Sequence, residues 1–541
     1  MRPASQAKSL MRGTFILTIA ALFTKILSAF YRIPFQNIVG DVGFYIYQQV
    51  YPFYAIAIAL STYGFPVVIS KLYTEEMNKK ESANPKQLFL FSAIFLFGFG
   101  LLGFILLYRT SDSIAFFMQD SKLAPLLKMV SFVFILMPVI SLLRGFFQGQ
   151  GEMLPTAVSQ VSEQLVRVFT ILATAIFLSI HQYSLYVVGA GAVFGSITGG
   201  LVAVIVLLFF WLRSREERLK GEINLQQGKK IIKAFTIHAL PICISSMLLV
   251  LLQLADSLNL FSLLVNSSVQ ENEAKTLKGV YDRGQPLIQL GTVVATSMSL
   301  SLVPLITKEK MQNSSIELKE KIQFALKTSI VVGVGATMGL YSIIKPTNIM
   351  LFENEAGSQI LALLTLVILF ASVIMTIQSI LQGLGHTLFP AIMVVVVFLL
   401  KYSLNIVFVP KFGAFGAALA SVLALLMILV LFIVRLHKLM GERILTKRFY
   451  WMNGLAALVM VVVLKVFLSS THFIYDLAYP ERLIASVQAL SAVLVGGLIY
   501  VAMIIKTNLL TEAELSLLPF GSKLMVFLSK KNRRGRVHEK D

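Results

Sequence analysis

Apolar runs of about 20 residues, the length an α-helix needs to cross the hydrocarbon of a bilayer, follow one another along the whole chain, separated by short polar breaks. The pattern predicts about fourteen transmembrane helices and no strands. The expected spans are residues 13–39, 44–70, 88–108, 124–147, 154–180 and 185–212, then, after a polar break, 232–265, 286–306, 324–345, 359–382, 388–409, 413–436, 449–468 and 483–506. Pro241 falls inside the long seventh span, where a missing amide donor predicts a kink. The first apolar run is too long for a signal h-region, contains Lys25 and lacks a small-residue cleavage site, so it is expected to remain as the first helix.

The two stretches that follow the fourth and tenth spans are alike. One reads Leu143-Arg-Gly-Phe-Phe-Gln148-Gly149-Gln-Gly151-Glu-Met-Leu-Pro155, the other Ser379-Ile-Leu-Gln382-Gly383-Leu-Gly385-His-Thr-Leu-Phe-Pro390. In both, Gln-Gly-x-Gly is followed by a proline at a helix start and by a lone cation nineteen residues after the Gln, Arg167 and Lys401. Pro66 near the end of the second span and Pro304 near the end of the eighth echo the same repeat, as do the small-residue openings Val188-Gly-Ala-Gly-Ala192 and Phe412-Gly-Ala-Phe-Gly-Ala417. The first twelve spans therefore read as two six-helix halves, residues 1–212 and 232–437, joined by a cytoplasmic linker at 213–231. Two additional helices (438–506) and a basic tail (507–541) follow. Parallel halves of this kind are a common plan of secondary transporters, with the substrate path between them near the midplane.

Composition agrees and adds a sign. Of 541 residues 57% are hydrophobic and only 14% charged, which excludes an ordinary soluble enzyme. Lys and Arg outnumber Asp and Glu by 47 to 27, a net charge of +20. With the N-terminus inside, the inner segments hold roughly four times as many Lys and Arg as the outer ones, which places both termini in the cytoplasm. Most of the charge is thereby assigned to topology and to contact with anionic lipid, not to nucleic acid. The single cysteine, Cys243, excludes an intramolecular disulfide, and scattered His residues offer no metal site. No phosphate-cradling loop or paired carboxylates point to an enzyme or to a cofactor. The glycines at 191, 195 and 199 lie inside a span and read as helix-packing positions.

Charges inside the spans carry the functional signal, because each costs at least about 2.5 kcal/mol on insertion. Lys128, Lys327 and Lys465 lie near span ends, where they reach water. Lys25, Arg32, Arg167 and Lys401 remain. Lys25 and Arg32, seven residues apart, project from one face of the first helix about 10 Å apart along its axis. Arg167 follows Glu163 by four, so a local ion pair and a ligand-binding role both fit it. Lys401 has Asn405 one turn on and two open roles, pairing with Asp256 of the seventh helix or binding ligand. Arg283 precedes the eighth span, with Asp282 beside it as a possible neutralising partner. Tyr45, Tyr47, Tyr51, Phe53 and Tyr54 read either as an interfacial belt or as sugar-stacking surfaces. Gln36, Asn37, Gln48 and Gln49 in the same region suit either hydroxyl-rich ligands or simply the wet end of a helix.

The stretches Arg12-Gly-Thr-Phe-Ile-Leu, Thr24-Lys25-Ile-Leu-Ser-Ala-Phe-Tyr-Arg32, Gly40-Asp-Val-Gly-Phe-Tyr45 and Tyr63-Gly-Phe-Pro66-Val-Val-Ile-Ser-Lys71 resemble the opening of the polysaccharide-biosynthesis and stage V sporulation protein B family. So do Gly279-Val-Tyr-Asp-Arg283-Gly-Gln-Pro286 and Gln382-Gly-Leu-Gly385 further on. That family sits within the multidrug, oligosaccharidyl-lipid and polysaccharide (MOP) exporter superfamily, which includes lipid II flippases. The resemblance implies an all-α, MATE-like fold and translocation of an undecaprenyl-pyrophosphate-linked saccharide by alternating access. It also implies a central cationic cavity lined by Lys25, Arg32 and Arg283, with Asp41 as the candidate for the acidic residue that lipid II flippases carry near the first-helix cations. Na+, H+ or the membrane potential remains open as the driving partner. The rival readings are a multidrug antiporter of the same superfamily and a membrane scaffold in cell-wall or spore assembly.

Overall fold

A computed structural model describes residues 3–78, 84–214, 223–293, 315–441, 445–471 and 479–510, together with residues 295, 306, 475 and 514. The described chain is helical throughout. The first group of helices comprises α1 (Pro3–Phe30), α2 (Arg32–Ala59), α3 (Phe65–Met77), α4 (Pro85–Phe117), α5 (Ala124–Ser131), α6 (Val133–Gly149), α7 (Met153–Ile180) and α8 (Leu185–Arg213). Next come α9 (Leu225–Ala234), α10 (Leu240–Ser245), α11 (Leu248–Asn266), α12 (Glu271–Asp282) and α13 (Gly284–Gly291). The chain continues with α14 (Ser315–Ser342), α15 (Ile344–Phe352), α16 (Ser358–Gly383), α17 (Leu388–Met440), α18 (Lys447–Ser470) and α19 (Glu481–Lys506).

Among the described residues, eleven helical runs are long and apolar enough to cross a bilayer. Two of them exceed one crossing by far: Ile16–Met77 has 62 residues and Leu388–Met440 has 53. Each turns back on itself at a glycine, Gly40 (φ 67°, ψ −176°) and Gly413 (φ 56°, ψ −141°), in a backbone region that essentially only glycine enters without strain. These breaks fall in the gaps expected between spans one and two and between spans eleven and twelve. The seventh span is interrupted as Pro241 predicts: a π-turn at Phe235–Ala239 precedes α10, and Pro241 stands at the start of that helix. Leu60–Gly64 forms a second π-turn before α3, with Pro66 in the same early position. Most of the expected eighth span, including Pro304, lies outside the described residues, as do residues 215–222 of the linker and most of the basic tail.

The Gln-Gly-x-Gly stretches take the same turn. Gly151 donates to the Gln148 carbonyl and Glu152 to that of Phe147, while Gly385 donates to Gln382 and His386 to Leu381. Gly151 and Gly385 both have positive φ, 80° and 86°. Gly149 lies against Tyr73, and Gly383 ends α16. Downstream, Arg167 and Lys401 both arrive in the interior, 3% and 0% exposed.

Helix α7 packs along α8 and α1, while α2 crosses to α11 and α12. The α7–α8 approach is close because of the predicted small residues: a Cβ on Gly199 would stand 2.7 Å from the Glu163 carbonyl oxygen. The last two helices pack on each other and against α14 and α15.

Candidate substrate cavity

The kink at Gly40 and the tight α7–α8 pairing bring α1, α2 and α7 together along one side of a cavity of about 210 Å³; α11, α13 and Met375 of α16 border the other. Lys25, Arg32 and Arg167 all line it. So do Thr24, Ser28, Tyr51 and Thr62, and a set of amides: Gln160, Gln164, Gln253, Gln285 and Gln289. The amide cluster has no simple sequence signature, because its members come from three helices that only the fold brings together.

The two guanidinium groups are held by neutral partners. Arg167 donates to the Tyr54 hydroxyl at 2.7 Å, to Tyr31 at 3.2 Å and to Ser28 at 3.4 Å. Its guanidinium also stands 5.2 Å and 5.0 Å from the ring centroids of Tyr31 and Tyr54. Arg32 lies over the Tyr51 ring, 4.2 Å from its centroid. Aromatic faces and hydroxyls orient and partly solvate a cation without cancelling its charge. Among the described residues no carboxylate lies within ion-pair distance of Arg32 or Arg167, and the Nε of each is buried without a hydrogen-bond partner. Such orphaned buried donors call for a ligand.

Glu163 lines the cavity as a polar candidate but does not form the i, i+4 pair with Arg167. Its partner is Arg144 on α6, 2.7 Å away and fully buried, which also donates to Ser159 and Thr62. Arg144 has no individual sequence signal beyond lying in the fourth span, next to the Gln-Gly-Gln-Gly turn. The i, i+4 pairing fails because α6, antiparallel and adjacent, delivers a guanidinium while the Arg167 side chain swings toward α1 and α2.

Arg283 is placed differently from the expectation. It is fully buried but is absent from the cavity lining; it makes a bidentate pair with Asp41, 2.9 Å and 2.7 Å, across 242 residues of sequence. Asn354 and Asn348 complete its shell, and Gln36 donates to the same carboxylate. Asp282, the neighbour expected to neutralise Arg283, instead holds Lys278 at 2.6 Å, since adjacent helical residues point apart. Asp41 thus sits with Arg283 and not with the first-helix cations.

Lys401 resolves toward pairing. Its ammonium is 2.8 Å from Asp256 and donates to the Ala417 carbonyl. Asn405 donates to Asp256 and Asn259, and Tyr281 donates to the second Asp256 oxygen at 2.7 Å. None of this group lines the cavity. Gln48 is buried on α2 with its carbonyl accepting from Ser257; it also lies off the cavity wall. Tyr45, Tyr47 and Tyr54 are at most 3% exposed, so they face the protein and not a membrane interface.

An all-helical bundle of membrane-length runs around a cavity lined by cations, with no strands among the described residues, defines a polytopic membrane protein. Its fold matches the inward-closed lipid II flippase MurJ with a TM-score of 0.66 at 17% identity, covering 91% of this chain and 99% of that one. It also matches an inward-facing MATE multidrug resistance transporter with a TM-score of 0.62 at 15% identity, covering 77% and 94%. The polysaccharide biosynthesis protein family matches residues 10–310, and the chain belongs to that family. It is 43% identical to the uncharacterized membrane protein YabM of Bacillus subtilis (strain 168) over 97% of both chains. It is 26% identical to the lipid II flippase MurJ of the same strain, over 91% of this chain and 94% of that protein.

Proposed function

We propose that the protein flips an undecaprenyl-pyrophosphate-linked saccharide, a cell-wall or surface-polysaccharide precursor, from the cytoplasmic to the outer leaflet of the bacterial inner membrane. The observation that carries this reading is the cavity's charge: Lys25, Arg32 and Arg167 face it, and the only lining carboxylate among the described residues, Glu163, is already bound to Arg144. A pyrophosphate can accept the two orphaned Nε donors and add charge-assisted hydrogen bonds, which are about twice as strong as neutral ones. The low dielectric around buried cations amplifies that attraction relative to water. The polyprenyl tail stays in lipid while the head group passes between the halves. An inside-negative potential drives an anion outward, worth about 2.3 kcal/mol per charge for each 100 mV. A multidrug antiporter for cationic drugs requires the opposite lining, buried carboxylates open to the cavity.

The test is native mass spectrometry of the gently purified protein together with head-group translocation in proteoliposomes. A copurifying lipid pyrophosphate saccharide, lost in Arg32→Ala and Arg167→Ala, is the expected result. Copurification of no such lipid, with export of cationic drugs instead, sinks the proposal.

A further inference from the structure

Of the driving partners left open by the sequence, Na+ is held best by a buried carboxylate that lacks a cation of its own. Four carboxylates among the described residues are buried: Asp120, Glu163, Asp256 and Asp282. Each has a cation of the chain itself beside it. Glu163 is 2.7 Å from Arg144, Asp282 is 2.6 Å from Lys278 and Asp256 is 2.8 Å from Lys401. Asp120 accepts from Tyr45 and Tyr186 and lies 4.0 Å from Lys275. Burial of a charge is tolerated when a fixed opposite charge neutralises it, and in this chain Lys and Arg take that part at every buried carboxylate among the described residues.

The group around Asp256 nevertheless has the ligand types of a cation site. A carboxylate, a backbone carbonyl and neutral oxygens meet there from three helices, Asp256 from α11, Tyr281 from α12, and Asn405, Ala417 and Ser421 from α17. Carboxylate, carbonyl and hydroxyl oxygens are what hard cations take. The position is filled by the Lys401 ammonium, which lies 2.8 Å from Asp256 and donates to the Ala417 carbonyl. The other groups are one hydrogen bond further out: Asn405 donates to Asp256 at 3.0 Å, Tyr281 donates to Asp256 at 2.7 Å, and Ser421 donates to the Ala417 carbonyl at 3.1 Å. Asn405 spends its amide on Asp256 and Asn259, and its own oxygen is buried with no hydrogen-bond partner. Lys401 and Asn405 are 0% exposed and Asp256 is 2% exposed, so the ammonium is sealed in. Its covalent stem keeps it there at an effective concentration that a dissolved ion does not match.

We propose that Lys401 is a tethered counter-ion standing where a monovalent metal ion would otherwise bind, so that Na+ neither occupies this half of the protein nor drives its transport cycle. The clause on transport rests on the function proposed above; the assignment of Lys401 does not. Lys401 is a positioning residue in this account. It joins α11 to α17 permanently, where a dissociable ion would join them only when bound.

The experiment compares thermal unfolding of the purified full-length protein in sodium chloride and in choline chloride at equal ionic strength. The unaltered protein is expected to melt within about 1 °C in the two salts. Lys401→Ser vacates the volume of the ammonium and its stem beside Asp256, and is expected to melt about 3 °C or more higher in sodium, because an ion that binds only the folded chain stabilises it by mass action. Adding Asp256→Asn should abolish that difference, and Lys401→Met, whose side chain refills the volume, should not show it. In proteoliposomes held at a fixed potential, replacing Na+ by choline on both sides should leave head-group translocation by the unaltered protein within about twofold. Sodium-dependent melting of the unaltered protein, or no sodium effect on folded Lys401→Ser, overturns the assignment. Sodium-dependent translocation by the unaltered protein overturns its consequence for transport. If Lys401→Ser folds in neither salt, the unaltered protein decides: melting and translocation that are both independent of sodium support the inference, and dependence in either overturns it. Absence of translocation in every salt overturns the transport reading alone and leaves the melting comparison to decide the assignment.

Discussion

Arg167 and Lys401 follow the same turn by the same number of residues, and both are interior, yet they have opposite electrostatic fates. Lys401 meets Asp256 at 2.8 Å and is closed in by Ala417, while Asn405 and Tyr281 occupy the rest of the carboxylate. Arg167 meets three hydroxyls and two aromatic rings and keeps its charge beside the cavity. The difference teaches that a buried cation marks a binding site only when the fold withholds its counter-ion. In the second group of helices the charge serves cohesion, and in the first it stays uncompensated beside the cavity.

The sharpest way to break this comparison is to remove each cation. Arg167→Met is expected to lower head-group translocation about 100-fold or more, because a charge-assisted contact to the ligand is lost at a desolvated site. It should leave thermal stability close to that of the parent, since no carboxylate is orphaned. Lys401→Met is expected to do the reverse and cost about 3 to 5 kcal/mol by stranding Asp256 in the interior. Thermal unfolding in detergent measures that loss, and adding Asp256→Asn should restore most of it. Equal stability loss in both single variants would erase the distinction.

The Arg283–Asp41 pair sharpens the comparison at the interface between α2 and α12. Asp41→Asn removes the charge from a pair that ties distant parts of the chain, and the unpaired, fully buried Arg283 should favour conformations in which the two helices separate. A cysteine placed at Ser28 in a Cys243→Ser background should then react faster with a membrane-impermeant thiol reagent added from outside, by about tenfold. No change in labelling would mean that the pair is not a closure contact.

The smallest effect belongs to the pair of exposed Glu271 and buried Lys275, 2.6 Å apart at the start of α12. A hydrogen bond from Lys275, with its positive charge, holds the Glu271 carboxyl below the ordinary glutamate range. A lowered folded-state value adds stability above the unfolded glutamate pKa and loses it as pH falls through the folded value. The Glu271 side chain is 66% exposed, so Glu271→Gln should change stability by no more than about 0.5 kcal/mol at neutral pH, and less in high salt. Melting curves across acidic pH check it.

Much of the architecture was legible in the sequence. Span edges in α7, α8 and α16 follow the apolar runs to within a few residues, and Pro241 marks its break. The Gln-Gly-x-Gly turns were visible because a positive-φ glycine leaves a local signature. Three of the four singled-out intramembrane cations, Lys25, Arg32 and Arg167, do line the cavity. Arg283 does not, and Arg144, the partner of Glu163, was as visible as the others by its place in the fourth span but lies three residues from the span's end, where a cation reads as reaching water. The tyrosines of α2 read either as an interfacial belt or as sugar-stacking surfaces, because aromatic enrichment alone does not tell an interface from an interior.

The sequence by itself determined where the chain is apolar enough to be helical in a membrane, where glycine and proline break those helices, and some of the charges that are buried, Lys401 and Arg167 among them. These are properties of a residue and its near neighbours. Only the tertiary structure decided which buried charges remain uncompensated. Ion pairing depends on distance, and the partners arrive from elsewhere: Asp41 lies 242 residues from Arg283 and Tyr54 lies 113 from Arg167. Pairing falls off within a few ångströms, so the same cation is a structural strut or a ligand site according to what the neighbouring helix happens to deliver.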